Sequence, residues 1–552
     1  MSTTNGIVRE RVLHKLLERQ AEKYGDRCFL YFEDRKYSFA ELNEMANRVA
    51  SSMQKLGISK GDKVAYMMEN CPETLFLAFG LFKIGAIAVP LNTSHRGEVL
   101  EFMVNHSDAS VLILQTDFIS QLKSVLAGTD KIVSVVLVNR EGGEDESLRD
   151  TPLKLRFASP ISESIQNVLE WSELIDNDGR YLSADVIWSD PLMIMYTSGT
   201  TGVSKGVLLP HNLLYSTAET YYEMIVERQI NEDDCIYVPN TLFHAQAWHA
   251  GIDVALLSGA RVALAERFSA RRYWEDIKKY GCTYTTAGGS CLPIVLLAEP
   301  QPDDLDNPLK VILGSSSEKV CREFEPRYGS TIVSYYGSTE VGMPIINRLS
   351  DRKLGTLGKR HPDFDLKIVN EEGEEVGVNM PGELLVRPRK PFMMMLEYFK
   401  IPDKTVEAWR DLWFHTGDNA IVGDDGYYRF VDRKKDSIRR RGENISSFEV
   451  ERVINSHPAV LVSAAYGVRS DLMDDDEVMV SVEPMDGEAI SPEELISHCE
   501  GQMAYFMIPR YIRFLKELPR NDVLRIEKYK LREDGVTHDT WDREKAGYKL
   551  KR

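Results

Sequence analysis

A chain of 552 residues is too long to fold around a single hydrophobic core, so at least two domains are expected. Its 43% hydrophobic and 28% charged residues are those of an ordinary globular protein, and a net charge of -18 disfavours a nucleic-acid partner. No stretch has the length and apolar content of a membrane span, and Met1-Ser-Thr-Thr-Asn-Gly6 lacks the basic and apolar regions of a secretory signal, so a cytoplasmic protein is expected.

Residues 9–24 carry Val12, Leu16 and Leu17 at helical spacing, and Tyr37-Ser-Phe-Ala-Glu-Leu42 predicts a second helix capped by Ser38. Val64-Ala-Tyr-Met67 and Ser110-Val-Leu-Ile-Leu114 read as buried strands, with a helix over 73–83 between them. This alternation predicts an α/β architecture of layered sheets flanked by helices. The polar stretch 140–165 has few apolar anchors and reads as a surface excursion. Seven cysteines are scattered along the chain without Cys-x-x-Cys spacing, which points to reduced thiols and against a structural metal.

Behind the apolar run Pro191-Leu-Met-Ile-Met195 comes Tyr196-Thr-Ser-Gly-Thr-Thr-Gly-Val-Ser-Lys-Gly206. Its glycines let the backbone turn tightly with N–H groups aimed at an anion, its hydroxyls add donors and Lys205 adds charge. A Walker-type loop is excluded on register, because the fifth residue after Gly199 is Ser204 rather than glycine. Further on stand Thr241-Leu-Phe-His244, Tyr335-Tyr-Gly-Ser-Thr-Glu340, Trp413-Phe-His-Thr-Gly-Asp418, Asp432-Arg-Lys-Lys-Asp436 and Gly442-Glu-Asn-Ile445. Taken singly, Glu340 could serve a helix cap, Asp418 a turn, Arg433 a surface ion pair and His244 a hydrogen-bonded core.

In this order the strings resemble the acyl-adenylate-forming superfamily of AMP-binding enzymes, in its acyl-CoA synthetase branch. Phe430-Val-Asp-Arg433 and Arg441-Gly-Glu-Asn-Ile-Ser446 are most similar to crotonobetaine/carnitine-CoA ligases. The resemblance runs from about residue 20 to about residue 535. It implies a large N-terminal domain, residues 1–433, and a small mobile α+β C-terminal lid, residues 434–552, hinged near Lys435. It implies ATP, Mg2+ and coenzyme A as cofactor and co-substrates, a small-molecule carboxylic acid as the other partner, and leaves oligomeric state open, a homodimer included.

The resemblance assigns Thr197, Ser198, Gly199, Thr200, Thr201, Gly202 and Lys205 to the β- and γ-phosphates, and Thr339 to the α-phosphate. Glu340 is the implied metal ligand, with Thr200 beside it. Ser315 and Ser316 fall in the adenine slot, Tyr336 and Gly337 are among the nucleotide-binding residues, and Asp418 and Arg433 take the ribose. Ala287-Gly-Gly-Ser290 and His244 border the acyl channel, Lys435 is the pivot, and Gly442 and Asn444 line the thiol tunnel of the second lid pose. The run Arg439-Arg440-Arg441 reads either as a contact to the CoA phosphates or as a solvated charged face.

One position departs from the family pattern. In Leu518-Pro-Arg-Asn-Asp-Val-Leu-Arg525, Arg525 stands where the family has a catalytic lysine. Arginine keeps the charge but is longer and planar. Three outcomes follow: adenylation with Arg525, substitution by Lys528, or a slow first half-reaction in a protein that binds nucleotide or acyl-CoA. A carboxylic acid:CoA ligase is the leading expectation. An adenylating enzyme loading a separate carrier protein, a luciferase-like oxidase and an adenylation-impaired binding protein stay open beside it. The tail, 536–552, is polar and reads as loosely attached.

Overall fold

The computed structural model describes residues 10–550 except 127, 140–164, 198–203, 288–290, 297, 315, 317, 371, 434–436, 471–474, 486, 489, 520–525 and 527. The first helix, Leu13–Tyr24, buries Leu13, Leu16 and Leu17, the face its spacing predicts. Ser38 caps the second, Phe39–Lys55, through a reciprocal box: its hydroxyl accepts from Glu41 N (3.1 Å) while the Glu41 carboxylate accepts from Ser38 N (2.7 Å). Lys63–Met67 and Ala109–Gln115 are strands, and Pro72–Lys83 between them is a helix begun by proline. Most of the predicted surface excursion, 140–164, lies outside the described residues.

Three sheets share one apolar core. The eight-stranded sheet runs from Glu397–Tyr398 through Lys205–Pro210 and Pro191–Thr197 to Asn167–Glu170. A seven-stranded sheet has Cys235–Val238 near its middle, flanked by Arg261–Leu264 on one side and Tyr284–Thr286 on the other, all parallel. A third sheet, antiparallel throughout, carries Tyr335–Ser338, Gly342–Ile346, Phe414–Val422 and Tyr427–Arg433. Leu30 and Val238 of the second sheet, Tyr66 and Ala88 of the first, and Ile345 and Phe414 of the third belong to the same buried cluster. The chemistry-bearing loops therefore hang from sheet edges that a common core holds in place.

Beyond residue 437 the chain builds separate cores. The hairpin Ser437–Arg440 with Glu443–Ser446, the helix Ser447–Asn455 and the four-stranded sheet begun by Val460–Arg469 bury Ile438, Val450, Val480 and Ile512 together. The tail departs from its sequence reading. Trp541–Asp542 pairs antiparallel with Tyr511–Phe514, Arg543 is buried, and Trp541, Tyr548 and Leu550 pack on the same core. Three apolar side chains among the polar ones suffice to tie it down.

Candidate active site

The strands Pro191–Thr197 and Lys205–Pro210 pair antiparallel, with Thr197 opposite Lys205 at the loop end. The loop itself, including Ser198, Gly199, Thr200, Thr201 and Gly202, lies outside the described residues. Thr197 Oγ1 is 3.5 Å from the Lys205 carbonyl, and the Lys205 ammonium lies 4.2 Å from the centre of the Tyr398 ring. The Tyr398 hydroxyl donates to Glu340 Oε1 (3.1 Å), and Ser338 Oγ donates to Glu340 Oε2 (2.9 Å). A single buried tyrosine thus joins the predicted phosphate lysine to the predicted metal carboxylate. Nothing in the sequence singled out Tyr398; only its pairing opposite Val207, on the edge of the phosphate-loop sheet, brings it here.

Glu340 and Thr339 sit in the turn between Tyr335–Ser338 and Gly342–Ile346. Gly337 is needed there: a Cβ on it would lie 2.4 Å from the Gly342 carbonyl. One residue earlier, the Tyr336 hydroxyl donates to Asp418 Oδ2 (2.7 Å) from a different strand of the same sheet. Asp418 is 9% exposed, and an ionised carboxylate is acceptor-only, the chemistry that a sugar diol requires. The backbone of Arg433 stands opposite Asp418 in the adjacent strand. Ser316 follows the strand Val311–Leu313 with its hydroxyl buried and unpaired among the described residues; Ser315 lies outside them.

His244 faces the C-terminal part of the chain. Its Nε2 is 3.4 Å from Glu443, and its side chain is only partly buried. Burial pulls the imidazole down, but the Glu443 carboxylate opposite outweighs it and raises the pKa above the ordinary value. Burial likewise pushes Glu443 up, and His244 together with His95 holds it below the usual carboxylate range. The two shifts agree on an ion pair. Gly442, at a φ of 84°, forms the left-handed turn that presents Glu443, and Asn444 follows on the second strand of the hairpin.

Two further contacts join the same parts. Ser204 Oγ donates to Glu449 Oε1 (2.6 Å), both buried, so the foot of the phosphate loop is bonded to the helix Ser447–Asn455. Arg452 lies 3.5 Å from Glu98. Lys435 and Arg525 lie outside the described residues. Lys528, the suggested substitute for Arg525, is bonded to Ser447 Oγ (2.9 Å) and Glu451 (2.6 Å), within its own part of the chain.

The arginine run is not one solvated face. Strand alternation points Arg440 inward, 3% exposed and 2.7 Å from Glu477, while Arg439 and Arg441 are exposed.

Among the described residues no helix is long and apolar enough to cross a membrane, and no cluster of three or more His, Cys, Asp or Glu could hold a metal ion. Residues 17–399 match the family of AMP-binding enzymes and residues 449–523 match the AMP-binding enzyme C-terminal domain. A crotonobetaine/carnitine-CoA ligase of Salmonella heidelberg is 30% identical over 531 residues, covering 93% of this chain and 98% of that protein. The o-succinylbenzoate CoA synthetase of Bacillus subtilis, bound with a product analogue, superposes at a TM-score of 0.78 with 23% identity, over 94% of this chain and 98% of the other. An anthranilate CoA ligase in complex with anthranoyl-AMP superposes at 0.70 with 23% identity, over 97% and 98%. The chain belongs to the AMP-binding enzymes, the acyl-adenylate-forming superfamily, and within it to the acyl-CoA synthetases, the acid–thiol ligases.

Proposed function

We propose that this protein joins a small-molecule carboxylic acid to coenzyme A at the expense of ATP, through an acyl-adenylate. In the first step a carboxylate oxygen bonds to the α-phosphorus and pyrophosphate leaves. In the second the CoA sulfur bonds to the acyl carbon, its proton goes to solvent and AMP leaves. Neither step needs a covalent enzyme nucleophile, so catalysis rests on positioning and on donors aimed at the phosphoryl group.

The observation that carries this reading is the Tyr336–Asp418 bond beside the Thr339–Glu340 turn, on a sheet whose neighbour carries the phosphate loop. Asp418 accepts the ribose hydroxyls with Arg433 beside it, Tyr336, Gly337, Ser315 and Ser316 border the base, and Thr339 donates to the α-phosphate. Thr197 through Lys205 cradle the outer phosphates, with Tyr398 holding the Lys205 ammonium in place. Each Glu340 oxygen accepts one hydrogen bond, so lone pairs remain for a hard cation, with Thr200 as its neighbour. Magnesium bound there would offset the charge of the phosphates.

The division near Lys435 into a nucleotide-binding part, 1–433, and a lid, 434–552, has a chemical reason. Adenylation encloses the phosphates, whereas thiolation must release pyrophosphate and admit a thiol. The Glu443–His244 pair and the Ser204–Glu449 bond support reading this arrangement as the thiolation pose, with Gly442 and Asn444 beside the incoming thiol. The buried Glu449 carboxyl occupies the foot of the phosphate loop, where a triphosphate would be repelled. Arg525 belongs to the other pose, in which it would meet the α-phosphate and the substrate carboxylate.

The test is acid-dependent ATP–pyrophosphate exchange together with CoA-dependent AMP release in the full-length protein. Both activities with one acid class are expected. Exchange without thioester formation would point to a carrier protein as acceptor, and nucleotide binding with neither activity would leave only a binding role. Arg525→Lys, run alongside, reports whether arginine limits the first step.

A further inference from the structure

We propose that Asp475 is a positioning residue for the thiolation step, its carboxylate holding the Arg441–Gly442 turn in the shape that presents Glu443 to His244. The inference rests on the ligase reading and on the pose assigned above. Arg440 pairs with Glu443, so the hairpin closes over two residues. Arg441 and Gly442 lie at φ of 51° and 84°, both left-handed, as a two-residue loop matched to the twist of its strands requires. Glycine adopts that conformation freely and asparagine tolerates it, but the Cβ of an arginine crowds the following carbonyl there. Arg-Gly therefore does not specify the turn by itself, and a contact from outside the hairpin must fix it.

Asp475 makes that contact. Arg441 N, an N–H outside the Arg440–Glu443 pairing, lies 2.8 Å from both of its oxygens, and the residue is 3% exposed. It directly precedes Asp476–Pro484, an inner strand of the four-stranded sheet, so it ties the turn to the rigid part of the lid. The Arg441 guanidinium, 3.6 Å from Glu477 and 4.0 Å from Glu544, is exposed, and screening by water leaves those ion pairs weak. The carboxylate on the backbone is therefore the stronger anchor. No motif in the sequence marks Asp475; strand placement alone brings it to the turn.

The strength of this anchor depends on a proton. Burial is the main influence and pushes the Asp475 carboxyl up to about 6; Glu477 and Asp476 on its own strand add to the rise, while the bond from Arg441 N and the charge of Arg439 on the hairpin oppose it. Arg440 of the hairpin and Arg510, which precedes the strand Tyr511–Phe514, face Glu477 at 2.7 and 3.8 Å, and Glu544 of the tail faces Arg441. At neutral pH Asp475 is ionised, and an ionised acceptor holds an N–H about twice as strongly as a neutral one. As pH falls through about 6 it takes up a proton and keeps only the weaker bond. The ion pair beyond the turn runs the other way, since Glu443 stays ionised and His244 gains protonation over the same range.

The test uses the full-length protein and whichever of acetate, octanoate, hexadecanoate and benzoate gives the strongest pyrophosphate exchange. Asp475→Ala is expected to slow CoA-dependent AMP release by about tenfold or more with exchange unchanged. Arg441→Asn added to it, supplying the residue such turns favour, is expected to restore much of the loss. Asp475→Asn keeps the shape of the group without its charge, so the rate of AMP release in wild type relative to this variant should exceed one at neutral pH and approach one as pH drops below about 6. That ratio cancels the ionisation of the CoA thiol and of the His244–Glu443 pair, which the two proteins share. Equal loss of both activities in Asp475→Ala, a ratio flat with pH, or no recovery with Arg441→Asn overturns the inference while wild-type activity upholds the ligase. No activity with any acid rejects the ligase reading; hydrogen exchange at the Arg441 amide then decides the anchor alone, faster exchange in Asp475→Ala upholding it and unchanged exchange rejecting it as well.

Discussion

Replacing Arg440 with methionine tests whether the hairpin that presents Glu443 is held by a buried charge. Arg440 and Glu477 are each 3% exposed, and Nε lies 2.7 Å from Glu477 Oε2, an ionic contact at an angle outside that of a hydrogen bond. The same guanidinium donates to the carbonyls of Phe506 (2.7 Å) and Ile508 (3.3 Å). Burial draws its pKa down to about 10, so it remains charged at neutral pH. Removing one member of a buried pair costs about 3–5 kcal/mol, because the other is left uncompensated. Arg510, 3.8 Å from Glu477, still neutralises part of that charge, which places the loss near the lower end, about 3 kcal/mol. For a unit of roughly 100 residues that corresponds to a fall in Tm of about 12–24 °C, read by scanning calorimetry on the full-length protein. Arg440→Met with Glu477→Leu should recover most of the loss, since exchanging a whole buried pair for apolar residues is close to neutral. A loss below about 1 kcal/mol in the single variant, or an equal loss in the double, would refute the reasoning. Because the hairpin carries Glu443, CoA-dependent AMP release in the single variant should fall before acid-dependent exchange does.

Tyr336→Phe removes the donor to Asp418 and should raise the KM for ATP by about tenfold, the value of one hydrogen bond to a carboxylate, with kcat little changed; an unchanged KM would separate Asp418 from the nucleotide. Glu443→Gln removes the counter-charge that raises His244, so the His244 pKa falls. Measured by NMR titration, a lowered imidazole pKa together with intact pyrophosphate exchange and slowed thioester formation is expected, and slowed exchange would contradict the assigned pose. Acid stability is set in part by the buried imidazoles His14 and His211. Burial holds both below the ordinary 6.5, His211 at about 3. The folded forms are neutral while the unfolded chain takes up protons first, so this stability is present above pH 6.5 and is lost as pH falls from 6.5 towards 3. His211→Phe should make denaturation between those pH values less steep by about one proton, and an unchanged slope would count against it.

Much of the scaffold was legible in the residues because its causes are local. The apolar face of Leu13–Tyr24, the Ser38 capping box and the glycine demanded at 337 each depend on neighbours a few positions away. The ordered motifs likewise carried the family and singled out Tyr336, Asp418 and Glu340, which the structure then gathers on one sheet's strands and turn. What the sequence could not supply were pairings set by which distant elements come to lie side by side. Tyr398 meets Lys205 and Glu340 only because a two-residue strand adds to the edge of the phosphate-loop sheet. His244 and Glu443 are 199 residues apart, and Gln246 gathers acceptors from three strands. The solvated-face reading of the arginine run and the loose attachment of the polar tail failed for the same reason. Composition reports how polar a segment is, but strand register decides which of its side chains turn inward, and only the tertiary structure fixes that register against a partner.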